Sequence, residues 1–225
     1  MAGGYTSKPT GGQSFATTEV WRYNIESNTW NAMPPLPQAR GSGALTNLNG
    51  VLHFFGGTDI KRIDQGTHWY LPLNGGTTWI ASAPLPDPRS HFGDVALGGK
   101  IYAIGGQHSY DNNLVTQSSV YVWDSINPDV WLSVASLPKA RSHNGMATFS
   151  MAGRIIVMGG ETAHTFPLAD VNAYDPISNS WKVLTPLPTK LHSGVGGAIN
   201  GKIYYYSGAP TFRTTTYKGT PVLVK

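Results

Sequence analysis

Three arginines, Arg40, Arg89 and Arg141, stand 49 and 52 residues apart, and two residues after each comes Ser42, His91 or His143. A guanidinium is a planar fork of donors that matches a carboxylate, an acidic peptide or a sugar. Imidazole serves proton transfer or metal ligation near neutral pH. A second set lies 18, 18 and 20 residues beyond the arginines: Thr58, Gln107 and Glu161, with Asp59 and His108 beside them. Glu161 is the candidate for a general acid or base. Each set also has a plain reading. A repeated arginine suits a bond that ties one sheet to its neighbour, the histidines suit a polar rim, and Glu161 suits a loop. No histidine pair has metal-ligand spacing, so the reading calls for no metal and no cofactor.

These residues are positioned by a stretch that recurs four times, starting at Leu36, Leu85, Leu137 and Leu187. Each copy holds a Leu-Pro turn and two strand-like segments, and it closes on Gly56-Gly57, Gly105-Gly106, Gly159-Gly160 or the degraded Ser207-Gly208. The distance from Leu to the first position of the pair is 20, 20, 22 and 20 residues, so length varies mainly after the glycines, where a loop must lie. Trp30, Trp79, Trp131 and Trp181 each precede the Leu of the following copy by six residues. A period near fifty with four short strands per unit predicts a radial β array. Strands such as KIYAI are apolar throughout, as expected when both faces of a sheet are covered. Each Trp can bury a large ring against a neighbouring sheet, worth about 2 to 3 kcal/mol by area.

Composition agrees with this architecture. The chain of 225 residues has 27 Gly, 16 Pro, 11 Tyr and 7 Trp with only 12% charged residues, which favours strands and turns over helices. The net charge of +4 is too dilute for a nucleic-acid stripe. Cysteine is absent, which removes disulfides, thiolate metal sites and thiol catalysis while leaving the compartment open. The apolar runs are too short to span a bilayer, so a soluble chain without nucleic-acid or membrane partners is expected.

The double glycine after an apolar strand, Tyr174-Asp175-Pro176 at a strand end and Trp181 beyond it resemble the kelch repeat over roughly residues 17–208. The pattern departs from that repeat at Ser207, at Leu191 where the arginines stand in other copies, and at Trp123-Asp124 and Tyr23-Asn24. The resemblance implies an all-β propeller of four-stranded antiparallel blades in a single domain. Three blades are expected at 36–82, 85–135 and 137–185, with the inner strands at 187–208 completed by outer strands at 17–33, so that four blades are closed by the N-terminal segment. Two alternatives stay open: a five-bladed arrangement in which residues 212–225 supply outer strands, or a fragment of a larger propeller, with Gly3-Gly4 as the remnant of a glycine pair.

The resemblance also implies a pocket at one face of the central channel, lined by residues at the start of the innermost strand and just after the glycines. Carried over, these are Arg40, Arg89, His91, Gln107, His108, Arg141, His143 and Glu161 as ligand-binding residues, with Ser42, Ser193, Thr58 and Ala209 at the matching positions. The expected function is a non-catalytic module, a monomer, that binds a protein or carbohydrate ligand at this face. Tyr110 and Phe166 in the variable loops are possible anchors. The alternatives are a sugar-processing enzyme like the kelch sialic acid mutarotases, with Glu161 near Arg89 and Arg141, and a structural fragment that self-associates.

Overall fold

The computed structural model describes residues 1–8, 10–210 and 214–220. It is all-β, with four blades arranged as a propeller. The first blade holds β3 (Ala44–Leu48), β4 (Val51–Phe55), β5 (His68–Pro72) and β6 (Ile80–Ser82), preceded by a hairpin of β1 (Trp21–Asn24) and β2 (Thr29–Ala32). The second holds β7 (Gly93–Leu97), β8 (Lys100–Ile104), β9 (Val120–Asp124) and β10 (Asn127–Val134), and the third β11 (Thr148–Met151), β12 (Arg154–Met158), β13 (Val171–Asp175) and β14 (Ser180–Leu184). The fourth, among the described residues, is a three-stranded sheet of β15 (Val195–Ile199), β16 (Lys202–Tyr206) and β17 (Thr216–Gly219). All pairings are antiparallel and sequential, so each blade is a meander built from local turns. The innermost strands β3, β7, β11 and β15 contact one another in that order around the axis. Among the described residues no helix is long and apolar enough to cross a membrane.

The glycine pairs explain how the blades interlock. Gly57, Gly106 and Gly160 donate N–H bonds of 2.8, 2.8 and 3.0 Å to Arg89, Arg141 and Leu191 in the following blade. A Cβ on Gly105 would lie 2.6 Å from the Arg141 carbonyl oxygen, so no side chain fits at this contact. Gly4 makes the same 2.8 Å bond to the Arg40 carbonyl, which gives Gly3-Gly4 the geometry of the other pairs. The two extra residues of the third copy are taken up by the short 3-10 turn Gly145–Ala147 ahead of β11.

Each internal Trp packs on the preceding blade, and its indole N–H fixes the distance between them. Trp79 bonds Pro34 O at 2.9 Å, Trp131 bonds Ala83 O at 2.9 Å and Trp181 bonds Ala135 O at 2.7 Å. Apolar clusters run between blades, one of them joining Phe55, Phe92, Trp123 and Trp131.

One strand assignment is corrected. Residues 17–33 do not complete the fourth blade: its third strand is β17, which pairs with β16 from Ile203↔Gly219 to Tyr206↔Thr216. The β1–β2 hairpin lies against the first blade instead, where Val20 packs with Leu36, Phe54 and Trp69. Its other face exposes Tyr23 and Trp30, just as the far face of the fourth blade exposes Val195, Ile199 and Tyr206.

Candidate functional site

Two rows of repeated residues run around the axis, and they are used differently. The arginine row is interior: Arg40, Arg89 and Arg141 are 2%, 0% and 0% exposed. Arg89 Nη1 donates to Gly105 O (2.8 Å) and Ser119 O (3.2 Å), and its Nη2 donates to Ser119 Oγ (2.8 Å) and pairs with Asp87. Arg141 repeats this with Gly159 O (3.1 Å), Asp170 O (3.2 Å) and Asn172 Oδ1 (2.7 Å). Arg40 donates to Gln38 Oε1, Ala39 O and Thr67 Oγ1 and lies over Trp69. Burial lowers the Arg141 pKa to about 10, against the opposing pull of Asp170, so the group is still a cation at neutral pH.

The three arginines expected at the ligand face thus have their side chains buried within the blades. The forks of Arg89 and Arg141 join the glycine corner to the third strand of their own blade, Arg40 reaches only Thr67 ahead of that strand, and among the described residues none of the three side chains bonds the next blade. In the fourth blade Leu191, 0% exposed, fills the position with hydrocarbon inside an apolar cluster.

Two residues further on, the chain turns to the axis. Ser42, His91, His143 and Ser193 share φ values of +53° to +55°, and their backbones form a chain of bonds: His91 N to Ser42 O (3.0 Å), His143 N to His91 O (2.8 Å) and Ser193 N to His143 O (3.0 Å). This ladder sets the two imidazoles face to face, with ring centroids 4.3 Å apart and planes at 28°. Burial and the neighbouring His143 lower the His91 pKa to about 3, so its ring is neutral.

Glu161 joins this row from the post-glycine position. Its backbone bridges Ser142, while Oε1 lies 3.0 Å from His143 Nδ1, and Oε2 lies 3.7 Å from His192 Nε2 and accepts from Thr165 N at 3.2 Å. Burial alone would raise its pKa, but the His143 hydrogen bond, the two nearby imidazoles and the Thr165 N–H outweigh it and hold the carboxyl below its ordinary range. Glu161 thus orients the His143 ring, whose Nδ1 also lies 3.0 Å from Ser142 Oγ and whose Nε2 has no protein partner among the described residues.

The structure brings together His91, His143 and Glu161 from the expected set. Gln107 is 1% exposed, with Nε2 on Ser109 O (2.8 Å), and His108 Nε2 is turned to Asp87 Oδ1 (3.1 Å). These two residues support a loop. Tyr110 faces the Arg62 guanidinium at 3.4 Å, and Phe166 is exposed. Sequence reasoning missed His192, one position off the row, and Asp94 and Met146. The last two line a cavity of about 250 Å³ together with Ser42, Phe92, His91, His143 and Ser193. Asp94 occurs in one copy only: the matching positions, two residues before the glycine pair across the ladder, hold Leu45, Thr148 and Gly196.

Comparisons agree with this architecture. The model of the KLHDC2/KLHL20/DRC7 Kelch-repeats domain matches residues 1–210. Beta-scruin of Limulus polyphemus is 26% identical over 91% of this chain and 23% of its own length. Kelch repeat protein M-T8 of Myxoma virus is 24% identical over 90% of this chain and 38% of its own length. Kelch-like protein 25 of Xenopus tropicalis is 31% identical over 62% of this chain and 24% of its own length. The chain thus spans between about a quarter and two fifths of these relatives. The solved structure of YjhT superposes with a TM-score of 0.81 over all of this chain and 78% of that one at 14% identity, a likeness of fold. By its repeat, its blades and the family match, the chain belongs to the kelch-repeat family.

Proposed function

We propose that this chain is a non-catalytic recognition module that holds a short segment of a protein partner at the channel face, over His91, His143 and Glu161. The observation that carries this reading is the fixing of the row. Backbone bonds set both imidazoles, and Glu161 is buried and committed to His143 and Thr165. A rigid polar surface loses little entropy on binding. Such a carboxylate is poorly placed to exchange protons with a sugar, and the arginines the mutarotase reading needs are closed into the blades. This counts against the enzyme. The cavity is also smaller than the roughly 300–1,000 Å³ typical of small-molecule sites, which suits one inserted side chain.

The test is selection of peptides from a random display library against the folded chain, followed by binding to His91→Ala and His143→Asn variants. Peptides that lose affinity for both variants support the reading. Peptides that bind the variants as well as the parent chain, or a library that yields no binder, overturn it.

A further inference from the structure

One residue lining the channel cavity is unlike the others. Asp94 lies there on β7, half-buried, and the Thr46 hydroxyl of the first blade donates to its Oδ2 at 2.6 Å. Among the described residues none of the ion pairs includes Asp94. The rest of the lining includes the stacked rings of His91 and His143, Phe92 and Met146, which is 70% exposed. The three arginines that could have neutralised the site point into their blades. Arg62, the cation whose field reaches His91, is paired with Asp111 at 3.4 Å and covered by Tyr110.

The one charged group the lining presents to a ligand is therefore a carboxylate, with the hydroxyls of Ser42 and Ser193 beside it, bonded to Tyr5 and His192 and still able to accept. They share the lining with apolar and π surface. A long cationic side chain needs both parts, apolar cover for its stem and an anion with extra acceptors for its head. An acidic or neutral side chain would leave the Asp94 carboxylate unpaired in a half-closed site.

We propose that the channel cavity takes a lysine or arginine side chain of the partner segment, with its head on Asp94 and its stem between the His91–His143 stack and Met146. This rests on the reading of the channel face as a peptide site, and it names the partner chemistry of that site. Burial raises the Asp94 pKa to about 6, against the pull of the Thr46 hydrogen bond, and an arriving cation relieves the cost of holding that charge. A carboxylate kept at an inner-strand position where other copies carry Leu45, Thr148 and Gly196 is the kind of local conflict that functional sites retain.

The experiment follows histidine imidazole NMR signals of the full chain while acetyl-Gly-Arg-Gly-amide, acetyl-Gly-Lys-Gly-amide, the citrulline analogue of the first and acetyl-Gly-Glu-Gly-amide are titrated in. Two cationic peptides that shift the His91 and His143 signals, with citrulline weaker by about tenfold, are expected from one charge-assisted bond. Asp94→Asn should bring arginine and citrulline to equal affinity. Met146→Lys, at an exposed position that does not threaten folding, should weaken the arginine peptide and spare citrulline. Equal binding of arginine and citrulline to the parent chain, tighter binding of the glutamate peptide, or signals that do not move with any peptide overturns the proposal. Library peptides that bind the histidine row but carry no cation would overturn it while leaving the channel-face reading in place.

Discussion

The arginine row and the histidine row lie two residues apart in the same repeat, yet one is sealed inside the blades and the other faces the axis. Arg89 and Arg141 are fully buried and end on carbonyls of their own glycine corners, whereas His91 and His143 stack on each other at the channel. What separates them is reach and backbone. A long guanidinium can fold back to an unsatisfied carbonyl, which is costly to leave bare. The positive φ at His91 and His143 turns the chain toward the axis just after that corner is closed. Chemical type alone would have ranked the arginines first as ligand groups, and place reverses the ranking.

The largest effect that sharpens this contrast is acid sensitivity. His53 and His68 share a buried hydrogen bond of 2.9 Å, and burial lowers their pKa values to about 4 and about 3. His91 is lowered to about 3 by burial and His143. These rings are neutral when folded and protonate near 6.5 when unfolded. Their contribution is therefore complete above about pH 6.5 and is lost as pH falls toward 4 and 3, on the order of 3–5 kcal/mol each. Asp94 works in the opposite sense. Its pKa of about 6 exceeds the ordinary 3.8, so stability is gained as pH falls from 6 toward 4, by about 2–3 kcal/mol. Three groups outweigh one. Urea midpoints should fall steeply between pH 6.5 and 4, and a flat profile would contradict neutral buried histidines.

Removing an arginine comes next. Arg141→Met leaves Gly159 O, Asp170 O and Asn172 Oδ1 without their donor and should cost about 3–5 kcal/mol, read from urea unfolding. A loss under about 1 kcal/mol would mean that the guanidinium is not structural. Leu191 shows that a copy can do without the arginine when its surroundings are apolar as well.

Much of the fold was written in spacing. Glycine pairs and Trp residues at fixed offsets from each Leu locate inner strands, corners and inter-blade contacts, because a repeated unit must meet its neighbours in the same way each time. The third strand of the fourth blade was obscure because Thr216–Gly219 carries no repeat signature, while residues 17–33 do. The other strands suggested there, within residues 212–225, lie partly outside the described residues. Of the site, the equivalence of His91 with His143 could be read, and so could the place of Glu161 after its glycines. The inward course of Arg40, Arg89 and Arg141 could not, since spacing fixes a Cα and not the end of a long side chain. Asp94 and Met146 occur in single copies, so no comparison between repeats marks them, and His192 was hidden by a shift of one position.

The most direct measurement pairs one conservative change in each row, Arg89→Lys and His143→Asn, and follows thermal midpoint and affinity for a library-selected peptide. Asn tolerates the φ of +55° at position 143, so that change tests the imidazole rather than the turn. Arg89→Lys should lower the midpoint by several degrees, about 2–4 °C per kcal/mol at this size, and leave affinity unchanged. His143→Asn should lower affinity about tenfold or more with a smaller thermal shift. The opposite pattern, with affinity lost at Arg89 and kept at His143, would contradict the division of labour between the two rows.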